Sequence, residues 1–312
     1  MKPILCLALN PTIDASCQAD EVKPIKKIRT SEERYDPGGG GVNVARVIRE
    51  LGGEAVVVYL AGGITGGVLT DMLERIGLEH RLIPIAGNTR VSHVVFERSS
   101  CQEYRFTPEG PELKEAEWRA CLEQLAQMDG EYLVASGSLP RGVPPDFYAR
   151  VARIGAGKGA RVVIDTSGDA LREAVAEGVH LIKPNLRELE TLAGRELRSD
   201  ADQEEAARRL VDDGRAEVVA LSLGAAGALL VSADDCFRLK APKVEPKSAV
   251  GAGDSFAGAM TLGIAQGWSL RDAFMLAVAT GTATVLTMGT ELCRREDVER
   301  IYRELKAEFG EG

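Results

Sequence analysis

Aromatic residues are scarce in this chain, at 5%, and its 38 basic residues are outnumbered by 47 acidic ones. The resulting net charge of −9 argues against a nucleic-acid surface, which needs clustered lysine and arginine to displace counterions. None of the six cysteines (Cys6, Cys17, Cys101, Cys121, Cys236 and Cys293) belongs to a C-x-x-C pair. Neither a zinc site nor a disulfide framework is therefore suggested, and reduced thiols in a soluble cytoplasmic protein are expected. No apolar run approaches the roughly 18 residues of a membrane span. The opening run Ile4–Leu9 is also too short for a signal peptide and reads as a buried first strand. Long linkers, internal repeats and low-complexity tracts are missing too, so residues 1–312 read as one main domain.

What the chain does have is an Ala/Val/Leu/Gly-rich body, 45% hydrophobic, in which strand-length apolar runs alternate with stretches of helical period. Ile4–Leu9, Ala55–Leu60, Tyr132–Ala135, Arg161–Asp165, Leu181–Lys183 and Val218–Leu221 read as strands. Val42–Leu51, Val68–Ile76, Lys114–Met128, Pro145–Ile154, Leu186–Leu192, Asp202–Asp213, Phe256–Gln266, Leu270–Leu286 and Arg295–Phe309 read as helices. This β–α alternation predicts an α/β fold with a mainly parallel sheet covered on both faces. Residues 12–34 and about 89–106 instead alternate polar and apolar with no helix between, which suits a small discontinuous sheet with one exposed face. A sheet that small is marginal alone, so it is expected to act as a lid over a site, to pair with another subunit, or both.

Two glycine loops run into helices. In Ser248-Ala-Val-Gly-Ala-Gly-Asp254 the turn frees backbone N–H groups at a helix start, where an anion is welcome. Asp254 stands where a phosphoryl group would be held; it is a helix cap, or a general base that takes a proton from an attacking hydroxyl. Asp36-Pro-Gly-Gly-Gly-Gly-Val-Asn43 repeats the geometry and adds an amide. It has neither the Gly-Lys-Ser/Thr of a Walker A loop nor the acidic partner of a dinucleotide fingerprint, and a purely structural turn is the alternative. Asp14 follows the first strand at the edge where ligands collect in open sheets, and could grip sugar hydroxyls or cap a turn. Lys26, Lys27, Arg29 and Arg90 lie in the small-sheet segments and could meet a sugar phosphate or simply be solvated. Asn185 and Glu188, three apart at a helix start, could hold the water shell of Mg²⁺ or form a capping box. Ser222-Leu-Gly224 makes another small-residue turn at the same edge.

Pro-Gly-Gly-Gly-Gly-Val-Asn-Val-Ala-Arg46, Ser136-Gly-Ser-Leu-Pro140, Lys183-Pro-Asn-x-x-Glu188, Ser222-Leu-Gly and Val250-Gly-Ala-Gly-Asp254-Ser together resemble the PfkB carbohydrate kinase family, of ribokinase fold. The motifs occur in family order over essentially the whole chain. Within the family the resemblance is strongest to the 6-phosphofructokinase branch. The 1-phosphofructokinases tend to carry a lysine in the first glycine loop, where this chain has glycine; that branch and the tagatose-6-phosphate kinases stay open. The resemblance implies ATP-dependent phosphorylation of a hexose phosphate, most directly fructose 6-phosphate to the 1,6-bisphosphate. It makes Asp254 the base and the N–H groups of Gly251, Ala252 and Gly253 an anion hole. Asp14, Gly38, Gly39 and Asn43 would hold the sugar, with Ser138 and Arg90 near its phosphate and Lys27 and Arg29 reaching in from the lid of a homodimer partner. Lys183, Asn185, Ser222 and Gly224 would serve ATP, with Asn185 and Glu188 organising Mg²⁺ through water. A K⁺ site beside the anion hole would use backbone groups near Ser248, Val250 and residues 284–291. Thr287 and Glu291 stand where an amide and a basic residue are expected. A non-catalytic sensor on the same fold would lack the base or the metal motif, and both are present.

Overall fold

The protein is described by a computed structural model covering residues 2–310. Its main sheet has nine strands in the order β13-β12-β11-β10-β9-β8-β1-β4-β5. These are β1 (Ile4–Ala8), β4 (Ala55–Ala61), β5 (Glu79–Pro84), β8 (Tyr132–Ser136), β9 (Arg161–Asp165), β10 (Val179–Ile182), β11 (Ala216–Ser222), β12 (Ala228–Ser232) and β13 (Cys236–Leu239). From β5 across to β11 every pairing is parallel, and only the β11–β12 and β12–β13 pairings at one edge are antiparallel. β1 and β4 are buried along their whole lengths, which is why both read as continuous apolar runs rather than alternating ones.

Alternate side chains of these strands feed two cores. Ile4, Cys6, Val57 and Tyr59 face the layer of α1 (Gly40–Glu50), α2 (Gly63–Arg75), α8 (Ala252–Ala265), α9 (Leu270–Val285) and α10 (Arg295–Phe309). Leu5, Leu7, Val56 and Val58 face α3 (Glu115–Gln127), α4 (Phe147–Gly157), α5 (Gly168–Ala176), α6 (Leu186–Ala193) and α7 (Asp200–Asp212). The result is the predicted three-layer arrangement. In α8, Ser255–Ile264 are all buried, as a helix apolar on every side should be. A Cβ at Gly258 would lie 3.0 Å from the Val44 carbonyl, so its absence lets α8 approach α1 closely.

The second sheet has the order β3-β2-β6-β7: β2 (Thr12–Ala19), β3 (Thr30–Gly38), β6 (Arg90–Glu97) and β7 (Gln102–Phe106). Both alternating segments contribute to it, although β3 continues four residues beyond position 34, directly into the first glycine loop. The reading of the sequence left out α5, β5, β12 and β13. β5 is an exposed edge strand with mixed polarity, and β12 and β13 are short strands of a hairpin whose Ala-rich lead shows no period. α8 starts at Ala252 rather than Phe256, because glycine hides the start of the helical period. No helix among the described residues is long and apolar enough to cross a membrane.

Candidate active site

Parallel strands all end at one edge of the sheet, and the chemistry-bearing residues gather there because each follows a strand or opens the next helix. Gly251, at φ 73, is the N-cap of α8, a left-handed position that glycine adopts without strain. Asp254 lies in the first turn of α8. Its carboxylate accepts from Asn43 Nδ2 on α1 at 2.9 Å and from Ser136 Oγ at the end of β8 at 3.3 Å. The same Ser136 hydroxyl lies 3.3 Å from Asp165 Oδ2 at the end of β9, and Lys183 Nζ sits 3.1 Å from Asp165 Oδ1. Burial, followed by the neighbouring Asp165 charge, pushes Asp254 up to about 6; Asn43, Lys183 and Ser136 oppose the shift. Lys183 goes the other way: burial lowers its pKa, but Asp165 and Asp254 outweigh that and keep it above its ordinary value.

Asp14 lies beside this group on β2 and is buried. Burial is the main cause that lifts its carboxyl to about 7, against the pull of Arg46 and Arg90. Gly38 makes room for it: a Cβ there would lie 1.8 Å from Asp14 Oδ2. Gly41 has a different reason, since its Cβ would meet the Leu7 carbonyl at 2.1 Å, so α1 can press on β1 only with glycine there. Gly39, at φ 95, is the N-cap of α1. Arg90 is steered by two carbonyls, donating to Asn10 O at 2.7 Å and Pro108 O at 3.0 Å.

On the far side of Lys183, Asn185 and Glu188 form a reciprocal capping box at the start of α6, each side chain accepting from the other's backbone N–H. Ser222 N and Oγ both donate to Pro184 O, and Gly224 at φ 58 begins the turn that follows. Ser248 Oγ donates to Gly289 O at 3.0 Å and lies 3.2 Å from Glu103 Oε2 on β7. Val250 N in turn donates to Ser248 Oγ at 3.3 Å. Ser138 is exposed and makes no side-chain hydrogen bond among the described residues. Lys27 and Arg29 lie exposed in the loop between β2 and β3, and neither joins the cluster around Asp254.

Ser136 and Asp165 were missed as site residues by sequence reasoning, although each ends a parallel strand at the ligand edge, the signal that had pointed to Asp14. Arg46 and Asp36 were visible only as members of a motif.

A half-buried carboxylate between two glycine-turn helices, with a lysine at hand, has the make-up of a phosphoryl-transfer centre. The chain matches the model of the pfkB family carbohydrate kinases over residues 4–297, and it belongs to that family. It is 44% identical over 307 residues to an ATP-dependent 6-phosphofructokinase isozyme 2 of Mycobacterium tuberculosis, covering 98% of this chain and 90% of the relative. It is 31% identical to a 1-phosphofructokinase of Bacillus subtilis, covering 97% of this chain and 98% of the relative. Phosphofructokinase-2 of Escherichia coli, solved in complex with fructose-6-phosphate, superposes with a TM-score of 0.92 at 37% identity, covering 98% of this chain and all of that one. The same enzyme has been solved in complex with potassium, TM-score 0.94, and as a tetrameric inhibited form, TM-score 0.93.

Proposed function

We propose that this carbohydrate kinase transfers the terminal phosphoryl group of ATP to a hexose phosphate, with fructose 6-phosphate as its acceptor. The observation that carries the reading is Asp254, a half-buried carboxylate raised to about 6 directly behind the Gly251–Gly253 turn. Such a group is ionised at neutral pH and still takes a proton readily. Asp254 accepts the proton of the acceptor hydroxyl while the new O–P bond forms and the bond from that phosphorus to the ADP oxygen breaks. The proton then passes to solvent. The N–H groups of Gly251, Ala252 and Gly253 face the charge carried by the phosphoryl oxygens. Asp14, Gly38, Gly39 and Asn43 hold the sugar, with Arg90 and Ser138 at its phosphate, and Lys183, Ser222 and Gly224 serve the nucleotide.

Asn185 and Glu188 fit Mg²⁺ in donor chemistry: both offer oxygen, one of them a carboxylate, and their capping bonds suit a cation held through water. Bound there, the ion would neutralise phosphate charge. A monovalent cation near Ser248, Val250 and residues 284–291 is supported by the potassium complex of the E. coli enzyme and by the Glu103 carboxylate beside Ser248. The second sheet serves as the lid and as the contact of a homodimer. Its β2–β3 loop carries Ile25, fully exposed at a φ of 69, and Tyr35 and Phe106 are exposed on its strands. Those are costly positions for a monomer. Lys27 and Arg29, beside Ile25, then reach a partner's site. Six unpaired cysteines accord with the cytoplasm.

A coupled ADP-release assay with fructose 6-phosphate, fructose 1-phosphate, tagatose 6-phosphate and free fructose tests the acceptor. kcat/KM is expected to be highest for fructose 6-phosphate. Preference for either other phosphate ester would replace the acceptor but keep the chemistry. Binding of both ligands without turnover of any would make the protein a sensor. Mixing inactive Lys27→Ala and Asp254→Asn subunits tests the shared site, because heterodimers should regain activity; verified subunit exchange without recovery would mean self-contained sites.

A further inference from the structure

Asn43 reaches Asp254 with one end of its amide and Arg46 with the other. Nδ2 donates to Asp254 Oδ2 at 2.9 Å, while Oδ1 accepts from Arg46 Nη1 at 3.3 Å. We propose that Arg46 is a positioning residue: it fixes the orientation of the Asn43 amide and, through it, the carboxylate of Asp254. This rests on the reading of Asp254 as the base.

The two ends of an amide are nearly equal in size, so what touches them decides which way it faces. A guanidinium has only donors and a carboxylate only acceptors. With both in place, the reversed amide would set N–H against N–H and oxygen against oxygen, so a single orientation survives. Arg46 can impose this because it is itself immobilised. It lies three residues beyond Asn43 on α1, on the same helical face. Its Nη1 also donates to Pro37 O at 2.8 Å, and its Nη2 to Asp36 Oδ1 at 3.4 Å. Asp36 is buried in turn and accepts from Thr290 Oγ1 at 2.8 Å and Arg34 Nε at 2.8 Å. Burial pulls the Arg46 guanidinium toward neutrality, and the charges of Asp36 and Asp14 resist that. A relay therefore runs from Thr290 through Asp36 and Arg46 to Asn43 and the base.

The other groups facing Asp254 are Ser136 from β8, Asp165 from β9, Lys183 beyond β10 and Asp14 from β2. None of these accepts a hydrogen bond from Arg46; its charge does act on Asp14, and the Asn43→Ala background separates that through-space effect from the one carried by the amide. Arg46→Met leaves the amide free to turn, and Asp254 loses a fixed donor that favours its ionised form. The acid limb of kcat/KM should then move up by about one pH unit, a roughly tenfold loss of activity on the acid side.

The test is a double-mutant cycle of Arg46→Met and Asn43→Ala, read as the acid-limb pH and, independently of turnover, as the Asp254 carboxyl band in infrared difference against Asp254→Asn. Arg46→Met should shift both readouts in the wild-type background and neither in the Asn43→Ala background. A shift in both backgrounds would make Arg46 a through-space charge rather than a positioning group, and no shift in a folded variant would remove it from the site. Should Arg46→Met fail to fold, Arg46→Lys keeps the charge but cannot span three acceptors, and should give a smaller shift in the same direction. An unmoved limb in that variant overturns the proposal as well. If Asp254→Asn turned over normally, the base assignment itself would fail, which is a different outcome from either.

Discussion

Lys183, buried just past the end of β10, and Asp165, partly buried at the end of the neighbouring parallel strand β9, form an ion pair, Nζ to Oδ1 at 3.1 Å. Asp165 is also the charge that raises Asp254. Asp165→Asn removes that charge and releases Lys183 toward Asp254, and both effects lower the Asp254 pKa. The acid limb of kcat/KM should move to lower pH. Stability should fall toward the low end of the about 3–5 kcal/mol typical of a broken buried pair, because Lys183 keeps Asp254 in its field. A pH–rate series with denaturant melts checks both, and a limb that moved upward would refute the coupling.

Asp254→Asn keeps the shape of the site and the bond from Ser136 while removing the proposed proton acceptor. kcat should fall by about 10²–10⁴, the usual contribution of a general base, with binding of ATP and sugar phosphate nearly unchanged. Steady-state rates with isothermal titration measure the two separately. Undiminished turnover would take Asp254 out of this role.

The carboxyl of Asp14 is raised from 3.8 to about 7 by burial, and this makes the resting enzyme less stable as the pH rises. Below pH 3.8 the group is protonated whether folded or not, and its stabilising effect is fully present. Between there and about pH 7 the folded state holds a proton that the unfolded state has lost, so stability declines until the group ionises in both. Asp14→Asn has no such slope. Its stability relative to wild type should rise from pH 4 to 7 and then level off, at no more than about 4 kcal/mol. Urea melts at several pH values would show this, and a pH-independent difference would contradict it. The same variant should raise KM for the sugar phosphate.

Gly38→Ala should damage the sugar side and spare the fold. Its Cβ would lie 1.8 Å from Asp14 Oδ2, and because that atom is a side-chain end, Asp14 swings away rather than the backbone yielding. Activity with the sugar phosphate should collapse while ATP binding and far-UV circular dichroism stay close to wild type. Equal loss of nucleotide binding would show that the whole glycine loop had moved.

Much of the fold was legible because its causes are local. Central strands such as Ile4–Ala8 are buried on both faces and must be apolar throughout, and the second sheet announced itself by polar–apolar alternation. The elements that escaped had weak local causes: β5 survives as an exposed edge, and β12 and β13 are short strands, β12 entered through a turn at Gly227, φ 111. The same holds for the site. Asp254, Asn185 and the glycine loops carry motifs, whereas Ser136 and Asp165 matter through what stands opposite them.

The sequence by itself determined the layered architecture, the family and the types of residue at the site, since periodicity and motif spacing are properties of neighbours along the chain. Only the tertiary structure decided that Asn43 and Asp254, 211 positions apart, share a hydrogen bond. It also decided that Asp165 is the partner of Lys183, and that Arg46 stands behind Asn43. Those relationships depend on where separate strands end at a common sheet edge. The resulting burial sets the pKa of Asp14 and Asp254, because the cost of ionising a carboxylate depends on what surrounds it in space.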